Sequence, residues 1–168
     1  FCSRRGQVKR TRLTEYRNVR SSGIRAHDCA EGDTLLTVCK ATDDSHLLIA
    51  TRDGMSIRFK GEDVRPMGRV ARGVRGISLR AEDQVASISV VAEDSTAELL
   101  TVTANGFGKR TPLDQYRVQH RSGQGLIDIV TDDRNGPVTG AVVVEETDSV
   151  MLITDTGRVI KVRIETIR

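Results

Sequence analysis

Four glycines, Gly6, Gly54, Gly106 and Gly157, punctuate the chain at intervals of 48, 52 and 51 residues, and the sequence around them repeats. A hydroxyl residue stands three positions before each (Ser3, Thr51, Thr103, Thr154), and a cation four positions after (Arg10, Arg58, Arg110, Lys161). Self-similarity at a period of about 50 residues is the mark of stacked supersecondary units such as propeller blades, since no single unit can bury its own apolar face. The units occupy about residues 1–50, 51–102 and 103–153, and 154–168 starts or closes a further one. At 168 residues this amounts to one domain, opening inside a repeat and so expected to be a piece of a longer protein.

Within a unit the pattern is that of strands. Met55, Ile57 and Phe59 alternate with polar residues, while Val85 to Val91 and Val138 to Val144 are β-branched runs; no helical stripe of similar length occurs. Asp53-Gly54, Asn105-Gly106, Thr156-Gly157 and Asn135-Gly136 supply reversals. The expected fold is all-β: hairpins joined into four-stranded blades. Seven and ten residues past the glycines, Leu13 and Tyr16, Leu113 and Tyr116, and Ile164 and Ile167 are expected core anchors; the second unit has Gly61 and Val64 there. A glycine and an aliphatic residue (Gly23-Ile24, Gly76-Ile77, Gly125-Leu126) are expected to open the next strand.

The net charge is only +3, but its sign alternates along the chain. Residues 1–25, 51–80, 103–125 and 154–168 carry +7, +5, +3 and +2; residues 26–50, 81–102 and 126–153 carry −4, −5 and −5. Stacked units place equivalent segments at equivalent positions, so one basic segment per unit becomes a basic band fit for a long polyanion. Of 26 cations 21 are arginine, whose planar fork suits phosphate. The expected DNA-binding residues are Arg4, Arg5, Lys9, Arg10, Arg12, Arg20, Arg58, Lys60, Arg65, Arg69, Arg72, Arg75, Lys109, Arg110, Arg121, Lys161 and Arg163. Few aromatic residues and no recognition helix favour duplex backbone contact over base stacking or base reading.

Other chemistries find little footing. Tyr16 and Tyr116 share one repeat position, which marks packing rather than a nucleophile. The acid pairs Asp43-Asp44, Asp132-Asp133 and Glu145-Glu146 lack calcium-loop spacing, and His27-Asp28-Cys29 has no second ligand pair. Gly106-Phe107-Gly108 continues in a way that fits neither a dinucleotide fingerprint nor a P-loop. Cys2, Cys29 and Cys39 read as reduced thiols.

The stretches VRPMGRVARGVRGISL (64–79), NGFGKRTPLDQY (105–116) and TDDRNGPVTGAVVVEETDSVMLITDTGRVIKVRI (131–164) resemble the C-terminal domain of the DNA gyrase A subunit, and the likeness extends over essentially the whole chain. The resemblance implies a β-pinwheel, a propeller-like disc with strands exchanged between blades and duplex DNA wrapped on a basic perimeter. It further implies a non-catalytic part of an ATP-hydrolysing type II topoisomerase that directs negative supercoiling. Mg2+ and ATP would then act through other domains, the rest of gyrase A together with gyrase B would be the partners, and the location would be cytoplasmic and nucleoid-associated. The family's heptapeptide wrapping box is absent; Gln119–Gly125 and Arg72–Gly76 echo it, and the box itself is expected upstream of Phe1. The alternatives are the corresponding domain of topoisomerase IV and a propeller-type protein-interaction module using the acidic segments.

Overall fold

The computed structural model describes residues 1–167. Thirteen strands follow in order: β1 (Cys2–Ser3), β2 (Gln7–Val8), β3 (Leu35–Thr37), β4 (His46–Thr51), β5 (Met55–Lys60), β6 (Val74–Arg75), β7 (Val85–Val91), β8 (Glu98–Thr103), β9 (Gly108–Pro112), β10 (Leu126–Ile127), β11 (Val138–Val144), β12 (Ser149–Ile153) and β13 (Val159–Arg163). Four short 3-10 turns are the only helical elements among the described residues, and no helix is long and apolar enough to cross a membrane.

The strands form four antiparallel sheets in the orders β3-β1-β2-β6, β7-β4-β5-β10, β11-β8-β9 and β12-β13. Two blades are thus four-stranded as expected, and the third and fourth have three and two strands. In both complete blades the last strand comes from the next repeat: Val8 pairs with Val74 and Gln7 with Arg75, and Ser56 pairs with Leu126 and Met55 with Ile127. The donated residues stand twenty and twenty-one positions past their own repeat glycine. In the second repeat they therefore precede Gly76-Ile77 instead of following it, contrary to the sequence expectation.

The repeat landmarks are parts of one turn. Each glycine N–H donates to the carbonyl of the hydroxyl residue three positions back (Gly6 to Ser3 and Gly54 to Thr51, both 3.1 Å; Gly106 to Thr103 and Gly157 to Thr154, both 3.0 Å). The hydroxyls of Ser3, Thr51 and Thr154 also accept the N–H of Gln7, Met55 and Arg158. All four glycines have φ between 77 and 81°, where a side chain is strained.

The core lies between blades. Ile49, Ile57 and Phe59 face the first blade and pack with Cys2, Val8 and Val64. Leu48 and Ala50, on the other face of β4 from Ile49, pack with Leu99 and with Leu113 and Tyr116 of the third repeat. Leu100 and Val144 then meet Ile164 of the fourth. Leu113 and Ile164, each seven residues past a glycine, therefore pack on the hairpin of the preceding repeat. Leu13 has no such hairpin against it among the described residues and is 70% exposed, so it is not the core residue the sequence suggests. Burial holds the Cys2 thiol protonated, its pKa pushed up to about 12.

Candidate nucleic-acid interface

Strands β3, β7 and β11, drawn from the acidic half of each unit, stand at one end of their sheets, and β7 packs against both of the others. These ends face a common inner side. The exchanged strands β6 and β10 stand at the opposite ends, so the basic segment leading to each runs along the outer edge of the preceding blade. Backbone contacts fix that course: Pro66 bridges to Arg10 and Val118 to Arg58, with Met67 N–H donating to Arg10 O and Gln119 N–H to Arg58 O, each at 2.8 Å.

The cations that mark the repeat do not all lie on this edge. Arg58 is 5% exposed and donates from Nε to His46 Nδ1 at 3.1 Å, from Nη1 to Leu113 O at 2.8 Å and from Nη2 to Glu93 O at 3.1 Å. It ties the second hairpin to the third repeat, and its place among surface DNA ligands is corrected accordingly. Arg110 is half-buried and does similar work, donating to Ile167 O and pairing with Glu98 at 2.9 Å. Arg10 is half-buried and pairs with Asp43 at 2.7 Å. Of the four, Lys161 alone is exposed with no acid partner among the described residues.

Lys9 is a second correction. Only 3% exposed, its Nζ donates to Ala26 O at 3.0 Å and Arg69 O at 2.5 Å and lies 4.7 Å from the centre of the Phe1 ring; burial lowers its pKa. Arg121 is half-buried, holding Asp63 O and Arg75 O; Arg69 holds Arg25 O. Lys109, Lys60, Arg72 and Arg163 lie within 3.3 to 3.6 Å of Asp128, Glu62, Asp28 and Glu165. Arg4, Arg5, Arg12, Arg20, Arg65 and Arg75 are exposed. The sequence reading passed over Arg17 and Arg117, both exposed on the same outer loops; the signal that finds them is a repeat position, eleven past the glycine.

Acidic side chains serve the hairpins. Asp33 accepts from Ser3 Oγ and Arg5 N, Asp83 from Asp53 N, and buried Asp128 from Thr101 Oγ1 at 2.7 Å and Tyr116 Oη at 2.6 Å. Burial foremost, then the Asp128 contact, holds the Tyr116 phenol protonated, in keeping with packing. Among the described residues no group of three His, Cys, Asp or Glu side chains could hold a metal.

His46 carries a pH prediction. It is buried, accepts from Arg58, and has Lys60, Glu62 and Glu93 nearby; burial first and Arg58 second hold its pKa below 6.5. A lowered folded value favours the neutral form, so this contribution is complete above pH 6.5 and is lost as pH falls from there toward the folded pKa. Thermal melts of the wild type and His46→Gln should converge as pH falls from about 7 toward 5. A gap independent of pH would contradict the assignment.

The architecture defines a β-pinwheel whose blades take their outer strand from the following repeat and carry arginine-rich loops on the outer edge. Residues 1–38, 45–92, 97–145 and 148–168 match the family described as DNA gyrase C-terminal domain, β-propeller. The chain is 42% identical over 96% of its length to the A subunit of DNA gyrase from Salmonella typhimurium, and 40% identical over its whole length to that from Chlamydia pneumoniae. It spans 18% and 20% of those proteins. Among solved structures, the C-terminal domain of DNA topoisomerase IV superposes with a TM-score of 0.94 at 24% identity (all of this chain, 52% of that one). The DNA gyrase A C-terminal domain gives 0.81 at 22% (95% and 53%). These two likenesses show the fold. The chain belongs to the DNA gyrase C-terminal domain family, in the form carried by the A subunit of gyrase.

Proposed function

We propose that this domain binds and bends duplex DNA along its outer edge as a non-catalytic part of a gyrase, presenting the DNA to a cleavage core so that strand passage introduces negative supercoils. Cleavage, Mg2+ and ATP belong on this reading to other parts of the enzyme, and the partners are the rest of gyrase A together with gyrase B. The observation that carries the reading is the separation of charge by strand position. Acid-rich segments supply the inner strands β3, β7 and β11, and arginine-rich segments run along the outer side of β2 and β5. A duplex following that edge meets guanidinium groups blade after blade, with contacts led by phosphate and little sequence preference.

The reading is tested by fluorescence anisotropy with a labelled duplex over a salt series. With roughly two phosphates neutralised per basic loop, log K against log salt should fall with a slope near −5, about −0.9 per contact. Replacing Arg12, Arg20, Arg65 and Arg75 together by Glu should abolish binding at moderate salt while leaving the melting temperature nearly unchanged, because all four are exposed. Salt-independent binding, or full affinity in that variant, would contradict the reading.

A further inference from the structure

We infer that the arginine eleven residues past each repeat glycine is a phosphate-contacting residue in register, one per blade, and that the backbone of the cation four residues past the preceding repeat's glycine fastens Arg65 and Arg117 in place. This rests on the duplex-binding reading above and assigns its contacts. Arg17, Arg65, Arg117 and Arg168 all stand at this position, so the residue is arginine in every copy; Arg168 lies outside the described residues.

In the other three the side chain is exposed, and it has no hydrogen bond or ion pair to a protein group among the described residues. Its backbone is nonetheless fixed. The preceding residue is an anchor, fully buried as Val64 and Tyr116 and half-buried as Tyr16. That anchor's N–H closes the 3-10 turn in the second and third repeats, from Val64 to Gly61 O at 3.1 Å and from Tyr116 to Leu113 O at 3.2 Å. The following residue, Pro66 or Val118, is bridged to the backbone of Arg10 or Arg58 in the preceding repeat. The Arg58 guanidinium in turn grips Leu113 O, inside the turn that launches Arg117.

A free guanidinium on a base pinned from both sides, as at Arg65 and Arg117 on successive seams, is preorganised for a polyanion whose charges recur along its length. Several neighbouring cations are less free: Arg69 and Arg121 spend donors on backbone carbonyls, and Lys60, Lys109 and Arg72 face carboxylates.

The test compares two triple variants of the whole chain against a labelled duplex of mixed sequence. Arg17→Gln, Arg65→Gln and Arg117→Gln together should reduce the magnitude of the log K against log salt slope by about 2.7, roughly 0.9 for each lost contact. Arg52→Gln, Arg134→Gln and Arg158→Gln remove the same charge from exposed turn positions and should reduce it by less than about one contact's worth. Arg→Lys at the three series positions should keep the wild-type slope, since counterion release counts charge, and should lower affinity through loss of the fork. Equal effects of the two Gln triples, an unchanged slope in the first, or a fall of several degrees in its melting temperature would overturn the assignment. A flat slope in the wild type would instead sink the duplex reading beneath it.

Discussion

Replacing Arg58 by Ala should unfold the domain at a temperature lower by about 10 °C, the effect expected of a core residue. The guanidinium is enclosed between the second and third repeats and satisfies two carbonyls and an imidazole nitrogen at once. Truncation strands the buried acceptors on His46 and Leu113 at about 1–3 kcal/mol each, for a total near 4 kcal/mol. In a domain of this size that corresponds to about 2–4 °C per kcal/mol. Arg58→Lys should recover only part of the loss, because an ammonium cannot reach three acceptors in a fork. Burial already lowers the Arg58 pKa, as expected of a charge held largely by neutral acceptors in a buried seam. Calorimetry settles the matter: a melting temperature unchanged in Arg58→Ala would mean that the seam holds without it.

Gly54→Ala should cost about as much, for a different reason. Its φ of +77° carries a penalty of about 1 kcal/mol for any side chain. The larger obstacle is that an added Cβ would drive into the carbonyl of Ile129, two residues past the strand β10 that the third repeat lays beside this hairpin. Gly54 O accepts the N–H groups of Asp128 at 2.8 Å and Ile129 at 3.2 Å, so the clash falls at the point where the exchanged strand docks. Displacing it sacrifices these bonds and loosens β10, for a total of about 3–4 kcal/mol. Gly106 provides the internal control. It has nearly the same φ, +81°, but no atom within 4 Å of an added Cβ, so Gly106→Ala should lose only the conformational term, about 1 kcal/mol. Equal losses at the two glycines would show that strand docking contributes nothing.

Particular residues show how far the sequence reaches. The runs Val85 to Val91 and Val138 to Val144 are strands with the bounds that β-branched composition suggests, because their apolar content is local information. The role of Arg58 was hidden by the same alternation that revealed its strand. Met55, Ile57 and Phe59 mark one buried face of β5, which leaves Ser56 and Arg58 looking like a solvent face. In the structure every residue of β5 except Lys60 is buried, since blades stack on both sides. A strand enclosed on both faces cannot be told from an amphipathic one when its second face carries polar groups satisfied by another repeat. Leu13 is the converse: its apolar character predicts burial, but the surface that buries its equivalents Leu113 and Ile164 belongs to the preceding hairpin. Among cations, sequence reports sign and register; the backbone around Arg17, Arg65 and Arg117 shows which of them are left free to face outward.

Hydroxyl-radical footprinting of the chain with and without bound duplex tests the central claim most directly, because it reports which edge of the blades the nucleic acid covers. Protection should fall on the outer loops, at residues 12–25, 64–75 and 113–125, while the exposed side chains of β11 and the acidic turns at 93–94 and 145–148 stay as reactive as in the free domain. Protection centred on those acidic segments, or spread evenly over both edges, would contradict the account.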